Sequence, residues 1–210
     1  MDRSSDPNLV QRLHRQLAKS ASLPHPTLLP ELSYGRHRGP TSPSPRVAAV
    51  AVALYREPCG QWTIPLTLRP SSLQHHGGQV CLPGGQVEPN EDFYDAALRE
   101  FEEELGVRPS VEQRCGLLSS QYVYASNNLV HPVVTAIRRP EQPWAPDPVE
   151  VEKVIALPLS VLLDERQRTR LTKQRSVQST DREVGRLVFR AGAIHCGDHI
   201  VWGATALILD

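Results

Sequence analysis

The stretch from Gly85 to Val107, GQVEPNEDFYDAALREFEEELGV, determines how the rest of this chain is interpreted. Its polar residues 90–92 offer a capping side chain and negative charge where a helix would begin. Apolar residues then recur every four positions, at Phe93, Ala97, Phe101 and Leu105. This repeat predicts a helix with one buried apolar stripe, and Gly106 stands where such a helix usually ends.

The same helix carries a dense group of carboxylates. Glu100, Glu103 and Glu104 stand at positions i, i+3 and i+4, so helical geometry places all three on one face. Like charges at this spacing repel each other. Most acidic runs of this kind are solvated surfaces, and that interpretation stays open here. The other interpretation is a ligand set for a hard divalent cation, Mg²⁺ or Mn²⁺, which takes oxygen ligands.

Length, charge and cysteine content narrow the class of protein. The chain has 210 residues, enough for one well-buried domain, and 23 basic residues balance 23 acidic ones. This balance argues against a general binder of nucleic acid or acidic membranes. The four cysteines form no CxxC pair, which argues against a zinc site or a disulfide framework. No apolar leader or membrane-length apolar run is present, so we expect a soluble, cytoplasmic protein.

Coarse patterns predict an α/β fold in which a mixed sheet lies between helices. We expect a short amphipathic helix over 9–21, a Pro-rich strap over 23–45, and hence a division into an extension, 1–45, and a domain, 46–210. Strand patterns occupy 47–57, 61–70, 111–124, 129–138, 149–157 and 184–189. A short helix is expected over 158–165, a helix-capable end over 199–210, and a polar excursion between strands over 169–183.

The spacing of the acidic stretch resembles the Nudix box. Nine positions agree without a gap: Gly85, Glu91, Arg99, Glu100, Phe101, Glu103, Glu104, Gly106 and Val107. The sequence therefore resembles the Nudix hydrolases, which implies an α/β/α sandwich and Mg²⁺ or Mn²⁺ held by Glu100, Glu103, Glu104 and the Gly84 carbonyl. The resemblance also implies structural roles for Gly85, Glu91, Arg99 and Gly106, with Arg99 pairing with Glu91. For the proton acceptor, Glu103 is our first choice and Glu150 the second.

The segment before the box, LTLRPSSLQHHGGQVCLPGG at 66–85, resembles the coenzyme A pyrophosphatase branch of this family. It departs from the branch pattern at Pro70 and Leu82. Segments 130–134, 150–159 and 201–206 (VWGATA) resemble the same branch. The resemblance implies that substrate-binding residues are Arg69, His76, Gly78 and Gln79. Without it, the favoured interpretations are a strand-end salt bridge for Arg69 and a structural histidine for His76.

The implied reaction is metal-dependent hydrolysis of coenzyme A or acyl-CoA to 3′,5′-ADP and 4′-phosphopantetheine or its acyl form. One alternative is hydrolysis of another nucleoside diphosphate derivative, such as an ADP-sugar, NADH or a dinucleoside polyphosphate. A second is a non-catalytic binding module with the same fold. The expected partner is a small nucleotide and neither nucleic acid nor membrane, and a homodimer is left open.

Overall fold

The structure, a computed structural model, describes residues 3–19, 28, 31–32, 44–73, 77–123, 126–179 and 182–210. In these ranges the α-helices are α1 (Leu9–Ala18), α2 (Phe93–Leu105), α3 (Leu159–Leu163) and α4 (Ala204–Leu209). The strands are β1 (Glu31–Leu32), β2 (Arg46–Arg56), β3 (Trp62–Leu68), β4 (Val80–Cys81), β5 (Gly84–Gln86), β6 (Val111–Leu117), β7 (Gln121–Val123), β8 (Asn128–Ile137), β9 (Lys153–Pro158), β10 (Arg168–Ser179), β11 (Arg182–Cys196) and β12 (His199–Trp202). Two single 3₁₀ turns cover Arg3–Ser5 and Glu165–Gln167.

The central sheet is built around β2. This strand runs parallel to β8 and antiparallel to β5, and β8 pairs antiparallel with β6 and β7. A hairpin joins β2 to β3, which pairs antiparallel with β4 and β9. Parallel and antiparallel ladders therefore share one sheet, as the sequence predicts.

Helices cover both faces of this sheet because β2 is apolar on both sides. Its residues Ala49, Ala51 and Ala53 pack with α2, whereas Val52 and Leu54 belong to the opposite core. Helices α1 and α4 contribute apolar side chains to that second core. A strand buried on both faces reads as a continuous apolar run, which is what the sequence has here. The predicted α/β/α sandwich is confirmed.

The N-terminal helix packs into the domain. Helix α1 is three residues shorter than predicted, ending at Ala18 where 21 was expected. Its apolar side chains pack against the core, and Leu17 approaches Gly116 so closely that a Cβ there would lie 2.5 Å from Leu17 Cβ. The indole of Trp62 donates to the Asp6 carbonyl at 2.9 Å. In contrast, most of the predicted Pro-rich strap, 23–45, lies outside the described residues, and the division at residue 45 stays a prediction.

The segment predicted as a polar excursion, 169–183, is instead strand wherever the structure describes it, since 169–179 belong to β10 and 182–183 to β11. Strands β10 and β11 pair antiparallel from Arg168–Ile194 outward. The hydrogen-bond partners of the β10 backbone lie on β11, up to 26 residues away along the chain, so no local pattern reports this strand. The predicted strand over 111–124 divides into β6 and β7, and the one predicted from 149 begins only at Lys153.

In the described part of the chain, no helix is long and apolar enough to cross a membrane.

Candidate active site

Helix α2 has both of its predicted ends. The Asp92 carboxylate accepts a bond from the Asp95 N–H at 2.8 Å and caps the first turn. Gly106 ends the helix in the left-handed region, at φ 67°, and its N–H donates to the Glu102 carbonyl at 2.8 Å. A Cβ at this glycine would lie 1.9 Å from the Ala145 carbonyl oxygen. Gly106 is therefore required by both backbone angle and space.

One face of α2 is anchored in the core. Ala96, Ala97, Phe101 and Leu105 have no solvent exposure and pack against β2 and β8. Because the back of the helix is fixed, the carboxylates on its other sides are presented from a rigid element, which is what a metal or substrate site needs.

Arg99 is the centre of an ionic network on α2. Its Nε and Nη2 donate to the two Glu91 oxygens at 2.8 and 3.2 Å. Its Nη1 donates to Glu100 at 2.9 Å and to Glu103 at 3.1 Å, and Nη2 also reaches the Gln86 carbonyl. Glu91 first, and Glu100 after it, raise the pKa of Arg99 above its usual value, although burial opposes this shift. The predicted Arg99–Glu91 pair is present and joins the loop after β5 to the helix.

Glu100 occupies a space that Gly85 leaves open. A Cβ on Gly85 would lie 2.4 Å from the carboxyl carbon of Glu100. Burial raises the pKa of Glu100, the Arg99 bond opposes that change, and the negative charges of Glu103 and Glu150 add to it. The structure thus brings Glu150, from the segment before β9, into the electrostatic range of the acidic face.

Glu104 points into the protein. It is only 4% exposed, and the Thr67 hydroxyl donates to its Oε2 at 3.3 Å. A backbone hydrogen bond also comes from Gly84, the residue whose carbonyl was predicted as a metal ligand. Burial raises the pKa of Glu104 to about 7, although the Arg69 charge opposes this shift. A carboxylate buried at such cost is typical of a functional position.

The predicted metal ligands are neighbours, but they do not converge on one point. Among the described residues, no three His, Cys, Asp or Glu side chains are close enough together to hold an ion. The reason is that Arg99 draws Glu100 and Glu103 to itself, while Glu104 turns toward Thr67. Their oxygens are nevertheless the donors that Mg²⁺ and Mn²⁺ take. A cation between them would remove the burial and like-charge costs that raise the pKa values of Glu100 and Glu104.

Arg69 lies at the end of β3, next to this group. Its backbone N–H donates to the Gln79 carbonyl at 3.0 Å, and its own carbonyl accepts from Gly78 N–H at 3.0 Å. The side-chain Nε–H is buried and has no hydrogen-bond partner in the described part of the protein. Its charge acts on both Glu104 and Cys81. Arg69 therefore has a donor available for a bound group, as a substrate ligand requires.

The other predicted substrate ligands lie in the turn between β3 and β4. Gly78 adopts φ 69°, and a Cβ at Gly77 would lie 2.6 Å from the Leu73 carbonyl oxygen, so this turn needs both glycines. Gln79 is held by the backbone bond to Arg69. His76 lies outside the described residues, and its predicted role stays a prediction.

Sequence reasoning missed three residues that join the site together. Thr67 donates to Glu104 and lies 3.5 Å from the Cys81 carbonyl, and Thr205 at the start of α4 makes a side-chain hydrogen bond with the Cys81 thiol. Burial raises the pKa of Cys81 to about 11, so this thiol is not a nucleophile at neutral pH. The available sequence signal for Thr67 was a threonine in a mostly apolar strand, and Thr63 of the same strand gives the same signal.

Comparison with known proteins identifies the family. The NUDIX domain family matches residues 45–184. The chain is 32% identical over 169 residues to Nudix hydrolase 15, mitochondrial, of Arabidopsis thaliana, over 79% of this chain and 56% of that protein. It is 34% identical over 172 residues to mitochondrial coenzyme A diphosphatase NUDT8 of Homo sapiens, over 79% of this chain and 67% of that protein. It is 33% identical over 165 residues to the uncharacterized Nudix hydrolase NudL of Salmonella paratyphi B, over 78% of this chain and 79% of that protein.

The chain therefore belongs to the Nudix hydrolase family, and the resemblance seen in its acidic box is confirmed. It spans about half the length of the Arabidopsis relatives, 56% of one and 53% of another. Family membership fixes the class of protein, whereas the substrate depends on the particular residues around α2.

Proposed function

We propose that this protein hydrolyses the diphosphate of coenzyme A or acyl-CoA, giving 3′,5′-ADP and 4′-phosphopantetheine or its acyl form. The observation that carries the proposal is the buried, unpartnered Nε–H of Arg69 beside the buried carboxylate of Glu104. A diphosphate held by a cation needs this combination: anionic oxygens for the cation and a planar cationic donor for the phosphate. The segment containing Arg69 is the one that resembles the coenzyme A branch, and one relative is named a coenzyme A diphosphatase.

The acidic face of α2 has a defined task in this proposal. Glu100, Glu103, Glu104 and the Gly84 carbonyl would hold Mg²⁺ or Mn²⁺. When bound, the cation neutralises diphosphate oxygens and lowers the pKa of an attacking water. Arg99 keeps two of the glutamates in place on the free protein and ties them to the loop after β5. Arg69 orients the diphosphate through its free donor.

Glu103 is the proton acceptor that we propose, because its side chain is 57% exposed and can reach solvent, whereas Glu104 is buried. Glu150 is the alternative, exposed and near Glu100. The variants Glu103→Gln and Glu150→Gln separate the two in a pH–rate profile. The general base is the residue whose Gln variant no longer shows the fall of kcat at low pH in this profile. If the fall of kcat at low pH is unchanged in Glu103→Gln, Glu103 is not the proton acceptor.

A substrate panel tests the proposed function. The purified chain would be incubated with Mg²⁺ or Mn²⁺ and, separately, coenzyme A, acetyl-CoA, an ADP-sugar, NADH and a dinucleoside polyphosphate, with Glu104→Gln as the control. We expect coenzyme A or its acyl form to have the highest kcat/KM and to give a product that keeps the 3′-phosphate. Preferential turnover of another compound would select the alternative Nudix substrate. Tight ligand binding without any metal-dependent hydrolysis would select a binding module.

A further inference from the structure

Lys173 and Trp202 form a cation–aromatic pair at the base of the β10–β11 hairpin. The Lys173 ammonium lies 4.4 Å from the centre of the indole. Register explains the contact: Lys173 is opposite Phe189, Trp202 is opposite Ala193, and Phe189 and Ala193 lie on the same face of β11. Both partners therefore project from one face of this sheet.

The strand that carries Trp202 packs next to a strand of the candidate active site. Trp202 ends β12, which packs next to β4. Three residues later, Thr205 bonds the Cys81 thiol of β4, and Cys81 is paired with Thr67 on β3. Thr67 in turn donates to Glu104. A continuous line of contacts thus leads from the acidic face of α2 to the VWGATA segment.

Among the described residues, Lys173 has no anionic partner. Arg99 is engaged by three carboxylates, and Arg114 by Asp92 and Asp95. In contrast, none of the ion pairs in the described part of the chain includes Lys173, although its side chain is half-buried. A half-buried ammonium whose contact among the described residues is an aromatic ring can still bind an anion.

We propose that Lys173 and Trp202 form a subsite for the nucleotide end of the substrate, beyond the diphosphate. The indole offers a flat apolar surface on which a nucleobase can stack, and the ammonium offers a point charge for a phosphomonoester. This subsite rests on the proposed function, in which the distal phosphomonoester is the 3′-phosphate of coenzyme A. It makes Lys173 the residue that distinguishes coenzyme A from dephospho-coenzyme A.

Equilibrium binding of product nucleotides tests the subsite without turnover. Calorimetry would compare 3′,5′-ADP with 5′-AMP on the wild type, Lys173→Gln, Lys173→Arg and the control Arg170→Gln. Arg170 is a basic neighbour on the opposite face of β10. We expect Lys173→Gln to weaken 3′,5′-ADP binding about tenfold, the loss typical of one charged hydrogen bond, with 5′-AMP binding unchanged. Lys173→Arg and Arg170→Gln should bind like the wild type.

Equal weakening of both nucleotides in Lys173→Gln, or no weakening of either, would overturn the subsite. A kinetic comparison adds a second readout: Lys173→Gln should raise KM for coenzyme A, keep kcat, and leave dephospho-coenzyme A unaffected. If the wild type does not hydrolyse coenzyme A at all, the proposed function is wrong. If the wild type hydrolyses coenzyme A but binds 3′,5′-ADP no more tightly than 5′-AMP, only the subsite is wrong. The two failures are therefore distinguishable.

Discussion

At the scale of single residues, the site depends on the side chains that hold the three α2 carboxylates in position. Arg99 fixes Glu100 and Glu103 in the free protein, and Thr67 fixes Glu104. Only Glu104 is deeply buried, which makes it the most costly of the three to leave without a cation. Uncharged residues of the Nudix box also determine where these carboxylates lie, and Gly85, which leaves space for Glu100, is the clearest example.

Gly85→Ala should remove activity while leaving the fold intact. The new Cβ would meet the Glu100 carboxylate at 2.4 Å, and a flexible side-chain end can move away at little cost in stability. Since Glu100 then leaves its position, we expect kcat to fall by about a hundredfold, the loss typical of one displaced electrostatic group. Gly185→Ala is the matched control, because a Cβ there meets nothing within 4 Å. Wild-type kcat in Gly85→Ala would contradict this account of Glu100.

At the scale of elements, α2 was predictable from sequence and the hairpin was not. The helix is specified by local signals, namely the four-residue apolar repeat, the Asp92 cap and the terminal Gly106. The β10 strand is specified by its pairing with β11, a contact that no local pattern reports. Thr67 is hidden for the same reason, since its partner Glu104 is 37 residues away. Sequence therefore identified the acidic face and the Arg99–Glu91 pair, whereas the contact of Glu104 with Thr67 came only from the fold.

The loop after β5 should depend on the guanidinium of Arg99. Arg99→Lys keeps the charge but cannot bond both Glu91 oxygens and the Gln86 carbonyl together. We expect urea unfolding to show a loss of about 1 to 3 kcal/mol, as for other charged hydrogen bonds. In Arg114→Lys, a control whose carboxylate contacts are 3.3 and 3.7 Å long and exposed, the loss should stay below about 1 kcal/mol. Equal losses in both variants would show that Arg99 has no special role.

The contact between α2 and β8 should make stability depend on pH. His131 stacks on Phe93 with ring centres 3.9 Å apart, and burial lowers the pKa of His131 below its usual 6.5. Protonation therefore favours the unfolded chain, so stability present above pH 6.5 is lost as pH falls through the lower folded pKa. Urea unfolding at pH 7.5 and 5.5 should show a smaller decline in His131→Phe than in the wild type. An identical decline would rule out this contribution.

At the scale of the whole molecule, a buried carboxylate joins distant parts of the chain. The Asp210 side chain is 1% exposed, pairs with Arg168 Nη2 at 3.1 Å, and accepts the Leu28 N–H at 2.9 Å. It thus links α4, the hairpin base and a residue of the predicted strap. Leu28, α4 and the base of the hairpin are for this reason packed together, which composition alone did not indicate.

Asp210→Ala should destabilise the whole protein. It leaves Arg168, only 27% exposed, without its partner, and breaking such a pair costs about 3 kcal/mol. The control Arg166→Ala breaks a pair whose arginine is 88% exposed, for which we expect a much smaller loss because solvent screens the pair. Thermal unfolding followed by circular dichroism distinguishes the two. A melting temperature equal to that of the wild type in Asp210→Ala would mean that this link is not needed.

The central claim is that the carboxylates of α2 form a divalent-cation site, and Mn²⁺ binding followed by electron paramagnetic resonance tests it most directly. Free Mn²⁺ gives a sharp signal that disappears on binding. We predict that the wild type removes this signal in a saturable titration and that the double variant Glu100→Gln and Glu104→Gln, still folded, does not. Equal Mn²⁺ binding by the two proteins, or none by the wild type with coenzyme A present, would contradict the account.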